Sequence, residues 1–424
     1  MPPFLAVVDY EDPYVQPLIL QALEKRLPQG SYTLVEPASD VDSEQKPLLQ
    51  FRAYESIDFE RAYEDAKHNL INSYIIRKAL IRKHYLSNTI QTWTTKNPDS
   101  ILKRHFKQSV EFEVDYAEFL DDALLEAYEL RESFQKNEDR EPADREWWIL
   151  KPSMTDRGQG IRLFSTEEEL TSIFEEWDPP DSDDEEEDAV HREDEQTVVD
   201  NANDDVDHIT TSQLRDFIAQ PYIHPPLLLP SFGDRKFHIR TYVLAVGALK
   251  VYVYKPMLAL FAAETYAPPW EKSDLKAHLT NTCLQDTGGR EGAVRAFWDL
   301  DETIDSLEAK DWRKDVFDQI CSTTGELFRA AAKNNAIHFQ PLPNAFELFG
   351  LDYLVDAAGT AFLLEVNAFP DFKQTGADLQ DLVAGLFEEV VDVATKPFFG
   401  VEDGGSPRGT ERMKIVLDID MGKR

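Results

Sequence analysis

The chemistry-bearing residues of this 424-residue sequence cluster most densely near its end. Two apolar runs, 347–355 and 361–367, flank the turn-forming residues 356–360 and read as a β-hairpin. A turn centred between Ala358 and Gly359 places Asp352 opposite Glu365. Strand side chains alternate, so Glu365 and Asn367 share a face. Two carboxylates and an amide oxygen are thereby gathered on one sheet face. Like charges directly opposite repel unless a cation sits between them. Three hard oxygen donors on rigid strands suit Mg²⁺, which keeps its waters and binds substrate phosphates. The competing reading is a solvated acidic face, and the apolar flanks of both runs weigh against it.

Two further motifs carry positive charge. Trp148-Ile149-Leu150-Lys151 ends a strand on a lysine, and Gly158 and Gly160 follow in a polar loop. A strand-end lysine can meet a phosphate as a point charge, and glycines let backbone N–H groups approach its oxygens. The spacing matches neither a Walker A loop nor a Rossmann fingerprint, and a Gly-rich hairpin turn is the plainer account. In Lys236-Phe237-His238-Ile239-Arg240-Thr241-Tyr242, a period of two puts Lys236, His238, Arg240 and Tyr242 on one face. A file of cations needs anions, although an exposed strand with ordinary charges would show the same pattern.

The elements that must position these groups can be read coarsely. Residues 4–9 form a strand, 17–27 a helix and 31–35 a strand, which makes a small α/β opening. Residues 36–47 read as a loop, 59–90 and 115–132 as helical, and 147–150 as a strand. Residues 178–208 are acidic and nearly free of apolar side chains, the composition of a disordered insertion. Strands return at 217–223, 236–246 and 249–255, with helices near 315–334 and 377–394. Residues from Gly400 onward read as a frayed tail. The expected domains are 1–76 (a small N-terminal α/β domain), 77–222, 223–399 and the tail 400–424.

Composition narrows the function classes. Lys and Arg number 44 against 80 Asp and Glu, a formal charge of -36 that should repel DNA and anionic lipid. No run has the ~20 apolar residues of a membrane span, and no signal peptide opens the chain. Cys283 and Cys321 are too few for a disulfide framework, which favours a reducing setting, cytosolic or nuclear, and the cytoplasm is the expected compartment. One basic island breaks the acidity. Between residues 77 and 107 there are eight Lys and Arg side chains and a single acid, Asp99. This is either a seat for a phosphate or acidic peptide, or the solvated face of a helix.

Taken in order, the motifs resemble the tubulin–tyrosine ligase family, whose fold is ATP-grasp. The resemblance spans nearly the whole chain and rests on Lys151 with its Gly loop, Gln220-Pro221-Tyr222-Ile223, Lys236 to Val243, His278-Leu279-Thr280-Asn281, and the hairpin with Leu348-Phe349-Gly350-Leu351-Asp352 and Leu364-Glu365-Val366-Asn367. It implies an α/β (α+β) ATP-grasp chain that uses ATP and Mg²⁺. Lys83, in Arg82-Lys83-His84, and Lys151 would contact the phosphates, and Gln220, Pro221, Tyr222 and Ile223 would form the adenine hinge. Lys236 and Arg240 would stabilise the transferring phosphate, with Asn281 lining the same cleft. Asp352, Glu365 and Asn367 would hold the metal. The implied reaction joins an amino acid to a protein carboxylate, the tubulin tail being one such acceptor.

The sequence departs from the family pattern at three positions. His238 stands where Asp is usual, Leu260 where an acceptor-contacting Arg is usual, and Pro221 where Lys is common in the hinge. Two other readings therefore stay open: a nucleotide-binding pseudoenzyme serving as a cytoplasmic scaffold, and a ligase of small-molecule carboxylates and amines. Residues 370–376 resemble fungal-type members, some of them linked to processing-body proteins. Lys373 within that stretch is either a further phosphate contact or a surface lysine.

Overall fold

The strand Phe4–Asp9 (β1) is almost wholly buried, because both of its edges are paired and both faces are covered. In the computed structural model, residues 4–36, 46–152, 160–177, 215–272, 274–280, 293–304, 307, 311–372, 379–401 and 411–421 are described. Tyr32–Leu34 (β2), Leu48–Arg52 (β3) and Asn69–Ile71 (β4) complete a parallel sheet with the order β2-β1-β3-β4. The 59–90 stretch is therefore not one helix. It holds a short helix Phe59–Glu64, then β4, then helices Lys78–Ile81 and Lys83–Lys96. Pairing of Asn69-Leu70-Ile71 with β3 overrides the local helical pattern.

The chain divides into two compact units, residues 1–108 together with 223–424, and residues 109–222. Residues 77–108 belong to the first of these units. In the second unit, Val110–Glu113 (β5), Trp148–Pro152 (β6), Arg162–Phe164 (β7) and Asp216–Pro221 (β8) form an antiparallel sheet ordered β5-β8-β6-β7. Phe112, Trp148, Phe164, Phe174, Trp177 and Phe217 supply most of its core.

The large sheet of the first unit contains Arg235–Val246 (β9), Lys250–Tyr254 (β10), Leu258–Thr265 (β11), Val294–Ala296 (β12), Phe346–Val355 (β13), Ala361–Ala368 (β14) and Met413–Asp418 (β15). β9 is its axis: β13 pairs along one edge, while β11 and then β10 share the other. Phe237, Ile239 and Val243 pack beneath the helix Trp312–Asn334. Tyr242, Leu244, Phe346 and Leu348 pack with Phe4, Ala6 and Phe51 of the small sheet and with the helix Gln380–Val390. Burying each such side chain contributes roughly 1.5–3 kcal/mol.

The final segment is not a frayed tail. β15 pairs antiparallel with β10, burying Met413 and Leu417. Gly325 in the long helix gives it close passage, since a Cβ there would lie 2.5 Å from the Val416 carbonyl oxygen. The 178–208 insertion, the 153–159 loop with Gly158, Asn281, Cys283 and Lys373 lie outside the described residues.

Candidate active site

The even-numbered residues of β9 explain where the site lies. Tyr242 and Leu244 point into apolar cover, and Lys236, His238 and Arg240 continue the same face. All three are buried, so the picture of an exposed strand with solvated charges does not hold. A buried cation is costly unless it is paired. Arg240 is paired: it lies directly across from Asp352 on β13, with Nε donating to Oδ1 at 2.5 Å and Nη2 to Oδ2 at 3.0 Å. Burial opposes the Arg240 charge, but the Asp352 carboxylate and its hydrogen bonds outweigh it, holding the guanidinium above its ordinary pKa.

Glu365 faces Asp352 from β14. The turn that achieves this differs from the simple one. Val355 pairs with Ala361 and Tyr353 with Leu363, so the tip is centred one half-step earlier, at Ala358. A bulge between Asp352 and Tyr353 then absorbs Leu364 and restores the Asp352–Glu365 pairing. Without that extra residue, alternation from Leu363, which lies in the apolar core, would carry Glu365 into the same layer. The bulge turns it to the polar face instead.

Other groups converge on this pair. The Asn367 amide nitrogen donates to Glu365 Oε1 at 3.2 Å and lies 3.4 Å from Asp352 Oδ2. Lys83 Nζ, from the first turn of Lys83–Lys96, is 3.8 Å from Glu365 Oε2. Among the described residues no group of three or more His, Cys, Asp or Glu side chains forms a metal cluster. The candidate donor set is two carboxylates and an amide, hard oxygen donors of the kind Mg²⁺ takes beside substrate phosphate. Arg240, Lys83 and the Asn367 amide direct positive charge or N–H groups at these two carboxylates.

Lys236 sits further along the same face, buried, and its charge reaches the imidazoles of His224, His238 and His278. Ile223 packs with Leu354 and Phe362. Leu260 is 2% exposed and lies opposite His238 on β11. In the 109–222 unit, Lys151 Nζ donates to Gln220 Oε1 at 3.0 Å across β6 and β8. Pro221 pairs with Trp148, and the Tyr222 N–H donates to the Trp147 carbonyl at 2.8 Å.

The basic island divides by environment. Arg77 is buried, its Nε 2.9 Å from Glu347 Oε1, with its guanidinium 3.8 Å over the Tyr54 ring. Lys83 meets Glu365, and Lys107 lies 5.0 Å over the Phe362 ring. Lys78, Lys96, Lys103 and Arg104 are exposed. Two supporting residues stand in the sequence motifs without a role assigned to them there. Thr280 Oγ1 lies 2.5 Å from His238 Nδ1. Gly350 cradles Arg240: an added Cβ would be 2.9 Å from Pro370 Cβ and 3.3 Å from Arg240 Cδ. Its signal was a glycine inside an otherwise apolar strand, which marks a close approach.

Comparison with known proteins places these residues in context. A profile of the "Tubulin-tyrosine ligase family" matches residues 61–402. A "Probable tubulin--tyrosine ligase" of Schizosaccharomyces pombe is 45% identical over 393 residues, covering 92% of this chain and 91% of that protein. The "Probable tubulin--tyrosine ligase PBY1" of Saccharomyces cerevisiae is 44% identical over 91% of this chain, which spans only 51% of that longer protein. Among solved structures, the C-terminal domain of K. lactis Pby1, described as an ATP-grasp enzyme interacting with the mRNA decapping enzyme Dcp2, is similar with a TM-score of 0.71 and 36% identity, covering 99% of both chains.

Proposed function

Because this chain belongs to the tubulin–tyrosine ligase family and has the ATP-grasp fold, we propose that it is an ATP- and Mg²⁺-dependent carboxylate–amine ligase acting on a protein acceptor. The observation that carries this reading is the row Arg240–Asp352–Glu365 on three adjacent strands, with Lys83 and Asn367 joined to it. A carboxylate approaching the γ-phosphate of ATP meets strong charge repulsion. Lys236 and Arg240 lower that barrier by holding positive charge where negative charge builds. The acceptor carboxylate oxygen bonds to the γ-phosphorus as the bond to ADP breaks. An amino acid's amine then attacks the acyl carbon, phosphate leaves, and the amine's proton passes to solvent, leaving an amide.

Asp352, Glu365 and Asn367 are the residues that would hold Mg²⁺, which when bound neutralises phosphate charge. Asn367 would then turn its amide oxygen toward the ion. Lys83, Lys151, Lys236 and the segment Gln220, Pro221, Tyr222 and Ile223 are assigned to the nucleotide, and Asn281 to the same catalytic cleft as Lys236 and Arg240. The Lys151–Gln220 hydrogen bond supports a shared role for those two. A protein carboxylate, with an acidic tubulin tail as first candidate, is the proposed acceptor, and the cytoplasm the proposed compartment. Among the described residues no helix is long and apolar enough to cross a membrane.

Incubation with ATP, Mg²⁺ and labelled amino acids should label a protein acceptor, and Glu365→Gln should abolish the label. No incorporation with any of the twenty amino acids would sink the ligase reading. A second reading has its own support. Leu260 places a buried apolar side chain opposite His238, and the K. lactis relative interacts with a decapping enzyme. A nucleotide-binding scaffold for such a partner would gain thermal stability from ATP without turnover. Acceptor-dependent phosphate release would exclude it.

A further inference from the structure

The polar face of β9 holds one group that the reaction above leaves idle. His238 lies between Lys236 and Arg240 and is 3% exposed. Its Nδ1 is 2.5 Å from Thr280 Oγ1. Its Nε2 has no hydrogen-bond partner and points toward Asp352, 3.6 Å from Oδ1. The plain alternative is a core histidine filling space. Such a residue would have both ring nitrogens satisfied, because an unpaired buried polar atom costs about 1–3 kcal/mol.

Oδ1 of Asp352 is therefore approached by two groups, Arg240 Nε at 2.5 Å and His238 Nε2 at 3.6 Å. The two have different work in the reading above. In that reading Arg240 also meets phosphate, and any loosening of its two bonds to Asp352 as it does so would leave a carboxylate that faces Glu365 without its main partner. We propose that His238 is the positioning residue that keeps Asp352 in place when Arg240 turns away. In this role the ring proton lies on Nε2, aimed at Oδ1, and Nδ1 accepts from the Thr280 hydroxyl, one of the two directions that their contact allows. Thr280 sets the tautomer, the imidazole orients the carboxylate, and the carboxylate holds the ion, as outer-shell partners of metal ligands do. This deepens the proposed function and rests on its assignment of Asp352 to the metal.

The test exploits the geometry of two amides. In His238→Gln the side-chain nitrogen can reach the place of Nε2, whereas in His238→Asn it reaches only that of Nδ1. Calorimetric titration with Mn²⁺ and a non-hydrolysable ATP analogue reads the metal affinity without turnover. Expected is a loss of about 10-fold or more for His238→Asn and near-native affinity for His238→Gln. Thr280→Val, which keeps the imidazole but removes the hydroxyl, should weaken binding, and Thr280→Ser should not. Equal affinity in His238→Asn and the native chain overturns the proposal, as does equal loss in both amide variants. If His238→Asn fails to fold, native affinity in Thr280→Val overturns it instead. Absence of Mn²⁺-nucleotide binding in the native chain removes the metal assignment itself, and this role with it.

Discussion

The Arg240 guanidinium and the Asp352 carboxylate form a two-point ion pair directly across β9 and β13, buried on the polar face of the large sheet. Each partner makes the other's burial tolerable. Removing one alone should be worse than removing both. Asp352→Ala should lower stability by about 3–5 kcal/mol in urea unfolding, while Arg240→Met with Asp352→Leu should lie closer to the native chain. Both should lose ATP-dependent ligation by about 10²-fold or more. Native activity in either would remove this pair from the mechanism.

Gly350 gives a different kind of control, because it acts on Arg240 without carrying charge. Gly350→Ala would set a methyl 2.9 Å from Pro370 Cβ and 3.3 Å from Arg240 Cδ. The Pro370 ring must shift to admit the methyl, and the Arg240 stem must give by a few tenths of an ångström. The expected outcome is a fall in turnover of about 10-fold or more, with a stability cost of about 1–3 kcal/mol. Unchanged turnover would show that Arg240 tolerates displacement.

Glu389, on the helix Gln380–Val390, offers a pH test away from the site. Burial and then Asp392 push its carboxyl up to about 7, against the pull of Arg412 and Arg26, and its Oε2 has no hydrogen-bond partner. Because the folded value is raised, the folded chain holds the proton more tightly than the unfolded chain does. Its contribution is complete below the unfolded value near 4.5 and is lost as pH rises to about 7. Glu389→Gln should therefore stabilise the protein by about 1–2 kcal/mol at pH 8 and by little at pH 4.5. A pH-independent difference in melting temperature would contradict this.

The C-terminal strand is predicted to be structural. Gly325→Ala would drive a methyl toward the Val416 carbonyl, 2.5 Å away, and should cost about 1–3 kcal/mol by overpacking. Truncation after Val401 removes β15, exposes the edge of β10 and uncovers the surface buried by Met413 and Leu417. A truncated chain that melts at the native temperature would show that this strand adds nothing.

Much of the site was legible because strand periodicity is short-ranged. The alternation that sets Lys236, His238 and Arg240 on one face, and the hairpin of two apolar runs that carries Asp352 and Glu365, follow from a few neighbouring residues. Order and residue type alone also carried the ATP-grasp resemblance. Tertiary structure decided what depends on distant partners. Asn69-Leu70-Ile71 became a strand because β3 lay beside it, and Met413–Asp418 did so because β10 offered an open edge. The Leu364 bulge, the burial of Arg77 against Glu347, and the meeting of His238 with Thr280 each join residues whose proximity no local pattern encodes. A side chain's own period tells which way it points; what it meets there is settled only when the rest of the chain has packed around it.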